Sequence, residues 1–263
     1  MPQSPAMPPA LSSMGRGFEV IGALAALTGS SSQNGASVTA VAEHLGRDRS
    51  QVSRTLAALD RRGYLTRDGG RGYRLSWAWY AQAQEITAVR LRTEGLSLLD
   101  ELADATGESC FIGVLHGADT VTVVESIPAT SRMIGSWIGR AYPAWCSDAG
   151  RAVLWDADDE EIRDVFTGIR FTGAGPNAPA SLEVFLERLR DSKERGYAIV
   201  DEEAEAGLFS VSAPVRDFRG EVIAAVQVVG ERRALVARAT EVGGRCRIAA
   251  DRLSTLLGAP DVR

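Results

Sequence analysis

Apolar and polar positions divide the chain into a first stretch of short, closely spaced elements and a longer second stretch where strand-like and helix-like runs mix. Residues 17–28 (GFEVIGALAALT) place Phe18, Ile21, Leu24 and Ala25 at helical spacing. The following GSSSQNGAS reads as a loop. VTAVAEHLG then predicts a short helix, capped by Ser37 or Thr39 and stopped at Gly46. DRSQVSRTLAALDRRG follows almost at once, with Asp48 and Gln51 as a capping pair and Val52, Leu56 and Leu59 as the inward stripe. In YLTRDGGRGYRL, two β-prone runs flank a glycine-rich tip, which is a hairpin signal. Helix, helix, tight turn, helix and hairpin together predict a winged helix-turn-helix over residues 17–76.

Residues 77–106 return to a helical pattern, with a break expected near Gly95, so residues 77–95 read as a linker helix. Beyond it ESCFIGVLHG, DTVTVVESI and RMIGSWIG read as strands, and CSDAGRAVLW and DEEIRDVF as short helices. FTGAGPNAPAS is a loop and SLEVFLERLRDSKERG a helix; YAIVD, LFSVSAPVR and EVIAAVQVV are strands, and a closing helix runs to Leu257. Helices interspersed with strands and a final meander predict an α+β domain over residues 96–263. Residues 1–16, rich in Pro, Ser and Ala, read as a flexible tail.

Composition narrows the class. At 263 residues and 45% apolar, the chain is long enough for two domains and can bury a sizeable core. No apolar run approaches the roughly 20 residues of a membrane span, and MPQSPAMPPALSSMGRG lacks the apolar centre of a secretory signal, so no membrane partner and a cytoplasmic location are expected. The three cysteines are widely spaced and form no C-x-x-C pair, which predicts reduced, mostly buried thiols. His44 lies in the helix-turn-helix module and His116 has no neighbouring His or Cys at ligand spacing, so no metal site and no cofactor are expected.

The net charge of −5 argues against nucleic acid until it is divided along the chain. Through Ser76 there are nine arginines against five acids, a balance of +4 that leaves −9 for the remainder. A basic module joined to an acidic one suits a DNA reader with a separate second task. On the third helix, a turn of about 100° per residue sets Ser50, Arg54, Ala57 and Arg61 opposite the Val52–Leu56–Leu59 stripe. Arg54 is the first candidate for base reading, since a guanidinium can bond guanine in two places at once. Gln51 and Ser53 flank it, and Ser50 lies near the helix N-terminus, where backbone amides attract phosphate. Arg67 and Arg71 bracket the hairpin tip, within reach of the minor groove or the backbone.

Other chemistry is less well supported. Ser147 or Cys146 can be drawn as a nucleophile with His116 and Asp148, but CSDAG is not the G-x-S-x-G elbow of hydrolases, and no enzyme is expected. A ligand-binding signalling module acting through a protein partner is the alternative, resting on the acidic run ADDEEIRD, which a solvated first helical turn also explains. Trp77, Trp79, Trp137 and Trp145 read as core, with Trp145 next to the pocket expected below.

From about Phe18 to Leu257 the chain resembles the IclR family of bacterial transcriptional regulators. The carriers are GRDRSQVSRTLAALDRRGYLTRD, RAYPAWCSDAGRAVL, GYAIVDEEAEAGLFSVSAPVRD and EVIAAVQVVG, with Glu203, Gly207 and Ala213-Pro214-Val215 the more distinctive positions. The resemblance implies a GAF-like C-terminal domain that binds a metabolite, and homodimers or dimers of dimers on palindromic double-stranded operator DNA, with repression the expected mode. It also places an effector pocket at Ser131, Ser147, Asp148, Ala149, Val200, Ser210, Gln227 and Val229. Family members that sense small keto acids carry polar groups at the positions of Val200, Ser210, Gln227 and Val229, and small residues at those of Asp148 and Ala149. Here two of the four are valine and Asp148 adds a carboxylate, which predicts an effector larger and less acidic than a keto acid.

Overall fold

The computed structural model describes residues 13–28, 35–67, 72–131 and 136–260. The chain forms two compact units, Met1–Ile86 and Thr87–Arg263. The expected tail (residues 1–12 of it), the hairpin tip with Arg71, and the first part of RMIGSWIG lie outside the described residues.

The first unit holds α1 (Ser13–Leu27), α2 (Val38–Leu45), α3 (Arg49–Arg61), β1 (Leu65–Arg67) and β2 (Tyr73–Leu75), the two strands pairing antiparallel. Ser37 caps α2 by accepting from the Ala40 amide, and Gly46 ends it. Val41, Val52, Leu56, Leu65 and Tyr73 close a core against Val20, Ala23 and Leu24 of α1. That phase departs from the sequence expectation: Phe18 is 60% exposed and Ala25 is exposed too. FEVIGALAAL is apolar on nearly every side, so periodicity could not fix which face turns inward, and packing against α2, α3 and β2 decided it.

Helix α4 (Trp77–Thr106) runs without interruption through Gly95. The glycine is there for contact rather than for a break: a Cβ at Gly95 would sit 2.5 Å from Ile112 Cδ1. Its helical cost of about 1 kcal/mol is offset by the close approach of helix and sheet that it permits. At the start of α4, the Trp79 indole donates to the Tyr64 carbonyl at 2.9 Å and packs on the Tyr64 ring. Trp77, expected in a core, is instead 81% exposed.

In the second unit, β3 (Ser109–His116), β4 (Asp119–Ser126), β5 (Ala141–Pro143), β6 (Ala198–Asp201), β7 (Leu208–Arg216) and β8 (Val222–Glu231) make one antiparallel sheet in the order β5-β4-β3-β8-β7-β6. The described part of RMIGSWIG, Ser136–Gly139, is not a strand, and the short strand β5 follows it. Over Ser136–Arg140 the chain turns instead, with Gly139 at φ +79° and the Trp137 amide bonded to the Glu125 carboxylate at 2.7 Å. Further along lie α5 (Gly150–Val153), α6 (Asp159–Val165), α7 (Leu182–Arg195), α8 (Arg232–Leu235) and α9 (Ala239–Leu256).

Alternation along the strands separates two faces. Phe209, Val211, Ala213 and Val215 of β7 join Ala224, Val226 and Val228 of β8 in a core with α4 and α9. Ser210, Ser212, Ala225, Gln227 and Val229 point to the opposite face, where Ala225 meets a second core built from residues 144–154, α6 and α7. Burial on both sides explains why β8 reads as an almost unbroken apolar run. Within that run Gln227 is the one strongly polar side chain, and it marks the site.

Candidate functional site

In the first unit, α3 divides cleanly between its two faces. Val52 and Leu56 are buried, while Arg49, Ser50, Gln51, Ser53, Arg54, Arg61 and Arg62 are exposed. Asp48 caps the helix from its own N-cap position, accepting from the Ser50 and Gln51 amides at 2.9 and 3.0 Å. It also accepts the Ser50 hydroxyl at 2.5 Å. Those bonds, the Ser50 hydroxyl foremost, hold the Asp48 carboxyl below its ordinary range. The Ser50 and Gln51 amides at this helix start therefore serve a carboxylate within the protein. The cap is also one-sided, because Gln51 returns no side-chain bond. Among the described residues, Gln51, Ser53 and Arg54 make no side-chain bond within the protein, which leaves their donors and acceptors free for an outside partner.

Arg67 is engaged differently. Its guanidinium donates to Asp60 at 3.0 Å and to the Tyr73 hydroxyl at 2.6 Å, and lies 4.8 Å above the Tyr73 ring. It therefore ties both wing strands to α3. With its side chain still 56% exposed it keeps donors for a phosphate, but its first role is structural. Near α1, an Arg47–Glu19 ion pair of 2.7 Å links that helix to the turn before α3.

In the second unit, the polar face of the sheet lines a small cavity bounded by Phe111, Gly113, Thr120, Thr122, Trp137, Tyr142, Ser147, Asp148, Ala204 and Gln227. Its volume of about 20 Å³ holds a single water. Gly113 makes the geometry possible, since a Cβ there would lie 2.8 Å from the Gln227 amide nitrogen and 3.0 Å from Ala149 Cβ. Trp137 and Tyr142 stack at 5.3 Å, and Phe111 leans on Trp137 at 6.1 Å.

Of the eight residues expected at this pocket, Ser147, Asp148 and Gln227 line it. Ser210 donates to Asp148 at 2.5 Å, and Ala149 packs beneath Gly113. Val200, Ser210, Val229 and Ser109 form one row across β6, β7, β8 and β3, one step beside the Gln227–Phe111 row that reaches the cavity. Val200 and Val229 are thus buried near the cavity without lining it. Ser131 pairs with Ser109 at 2.6 Å and faces a separate cleft of about 680 Å³, lined also by Glu108, Trp137, Glu205 and Arg233. Trp145, expected beside the pocket, packs on Phe171 in the second core instead.

Sequence reasoning passed over Phe111, Thr120, Thr122 and Tyr142, and read Trp137 only as core. The alternating Thr-Val-Thr of β4 was the available signal for an inward polar pair. The Asp148 carboxyl rises to about 6, because burial disfavours its charged form; the Ser210 bond opposes this, and Glu203 and Glu205 reinforce it. Arg151, the nearby cation, is 2% exposed and committed elsewhere. It binds Glu203 through two contacts of 2.7 and 3.0 Å and donates to the Ile199 carbonyl. Arg188 reaches the same carboxylate at 3.1 Å. This pair joins the GRAVL segment to the β6–β7 connection and so fixes the backbone that carries Asp148.

The arrangement does not make a nucleophile. Burial and the nearby Asp148 carboxylate push the Cys146 thiol up to about 12, and Ser147 is engaged by the Thr120 hydroxyl at 2.8 Å. Among the described residues no group of three or more His, Cys, Asp or Glu could hold a metal ion, and no helix is long and apolar enough to cross a membrane. The acidic run at residues 157–164 has a local explanation, since Asp158 and Glu161 form a capping box at the start of α6.

A free polar helix face in a winged helix-turn-helix, followed by an α/β unit with an enclosed polar cavity, defines a DNA-binding transcriptional regulator with an effector domain. Comparison gives the family. Residues 13–69 match the IclR helix-turn-helix domain and residues 83–255 match the C-terminal domain of bacterial IclR transcriptional regulators, so the chain belongs to the IclR family. The transcriptional repressor IclR of Escherichia coli is 26% identical over 257 residues, covering 94% of this chain and 90% of that one. The E. coli regulator XynR is 26% identical over 193 residues, 73% of this chain and 77% of its own length. An IclR-family regulator from Rhodococcus sp. superposes with a TM-score of 0.64 at 25% identity, covering 96% of this chain and 98% of that one.

Proposed function

We propose that the chain is a repressor that binds a palindromic operator as a homodimer or a dimer of dimers, reading bases with the exposed face of α3, and that a small molecule in the cavity beside Asp148 alters operator affinity. The carrying observation is that Gln51, Ser53 and Arg54 stand exposed and unbonded on the helix whose other face is core. Arg54 is the principal base reader, Gln51 and Ser53 are its flanking contacts, and Ser50 and Arg67 approach the backbone. Two recognition helices on one face of the duplex would meet half-sites about 34 Å apart. The protein acts where its operator lies, in the cytoplasm. The effector is larger and less acidic than a keto acid, and it must bind two operator-relevant states unequally, because equal affinity shifts nothing. The cavity holds only one water, so admitting an effector requires part of its wall to move.

The test is a genome-wide recovery of DNA fragments by the purified protein at about 150 mM salt, where weak electrostatic binding is suppressed. A recurring palindromic site supports the reading. Recovery of sequence-independent fragments alone, with the protein folded, overturns it.

A further inference from the structure

The cavity contains two polar groups whose bonding is incomplete. Gln227 is 6% exposed, yet its side-chain amide makes no hydrogen bond within the protein among the described residues, although it lines the cavity. Lining the cavity, the amide is open to a hydrogen-bonding group from outside the protein. Asp148 meets Ser210 through one carboxylate oxygen, and among the described residues no arginine or lysine forms an ion pair with it. The Arg151 guanidinium, which could neutralise it, is held by Glu203 and the Ile199 carbonyl. The local field is therefore negative, with Glu203 and Glu205 from the β6–β7 connection adding to Asp148, and Arg151 only partly opposing them.

The opposite wall is aromatic. Phe111, Trp137 and Tyr142 present ring surface, the face an organic cation prefers, and Arg140 lies 5.2 Å over the Trp137 ring outside the cavity lining. A carboxylate with a free oxygen, a neighbouring ring stack and an unpaired amide are complementary to a cation with an apolar body. An anion there would face the Asp148 carboxylate.

Resting on the effector reading above, we infer that the ligand is an organic amine: its protonated nitrogen bonds Asp148, its apolar body lies on Trp137 and Tyr142, and a second polar group meets the Gln227 amide. Trp137 lines both this cavity and the cleft of about 680 Å³ beside it. Displacement of that one indole is the shortest route to the room an amine needs.

The experiment is calorimetric titration of the full-length protein near pH 7.5 with phenethylamine, tryptamine and agmatine, each beside a carboxylate of similar shape such as hydrocinnamate or indoleacetate. At least one amine is expected to bind at least tenfold more tightly than its carboxylate counterpart. Asp148→Asn should erase that preference while the variant still unfolds cooperatively. Gln227→Leu should weaken amines bearing a second polar group without touching the charge preference. Lowering the pH to about 5 should weaken the amine about tenfold, because Asp148, with its carboxyl near 6, takes up a proton. Tighter binding of the carboxylates, no binding by any amine, or an unchanged preference in Asp148→Asn would each overturn the inference. Binding of the wild-type protein to a recovered genomic fragment is measured in parallel. If fragment binding holds while the amines fail, only the ligand class is wrong; if fragment binding fails, the regulator reading fails with it.

Discussion

The face of α3 and the cavity of the second unit are both polar surfaces raised over an apolar core, but they are built in opposite ways. On α3 the proposed contact groups sit within one helix, exposed, each nearly independent of its neighbours. Around the cavity the groups come from β3, β4, β5, β7, β8 and the segment before α5, and most are bonded to one another or packed together. An exposed face can change its specificity at little cost to the fold. An enclosed one couples recognition to stability, so its substitutions report on both.

That contrast can be broken by measurement. The largest effect is expected at Glu203, whose carboxylate receives Arg151 and Arg188: Glu203→Ala should cost about 3–5 kcal/mol in chemical denaturation, because it leaves the buried Arg151 uncompensated. A loss below about 1 kcal/mol would mean that the enclosed site is far less coupled than its geometry implies. Next comes Arg54→Ala, expected to cost about 1–3 kcal/mol of discrimination between operator and mismatched DNA, with the unfolding midpoint unchanged. Equal operator affinity in the variant would remove that helix face from the contact.

Asp148 gives a smaller effect of opposite sign. Its carboxyl lies near 6 in the folded protein, against an ordinary value near 3.8, so the native state holds this proton more tightly than the unfolded chain does. Stability from this group is present in full below about pH 4 and is lost as pH rises through about 6. Asp148→Asn, which keeps an acceptor for Ser210, should therefore raise stability by about 1–3 kcal/mol near pH 7.5 and by almost nothing near pH 4. A uniform gain at both would show that the charge is not the cause. A destabilising charge kept at the cavity wall is what a recognition role requires. The smallest change is expected at Arg67→Ala. Its partly exposed bonds to Asp60 and Tyr73 should yield under about 1 kcal/mol of stability, and the salt slope of DNA binding should fall by about 0.9 only if Arg67 also meets a phosphate.

The helix-turn-helix was legible because its signals are local. Ser37, Gly46 and Asp48 act within a turn of the helices they bound, and the Val52–Leu56 stripe follows from spacing alone. The free side chains of α3 could be named for the same reason. α1 was assigned as a helix correctly but with its inward face rotated, Leu24 buried and Phe18 and Ala25 exposed, since a segment apolar all round carries little phase. Gly95 was read as a break because its propensity is visible in the sequence and Ile112, the neighbour that requires it, is not.

The sequence by itself determined the kind of each long element, the basic excess of the first part and the polar residues of the strands, since propensity, periodicity and charge belong to residues a few positions apart. Tertiary structure alone decided that Gln227 stays unbonded opposite Gly113, that Arg151 is taken up by Glu203 rather than Asp148, and that Trp137 walls the cavity. Those outcomes depend on which side chains meet across strands more than 50 residues apart, and burial then sets the strength of each charge they bring together.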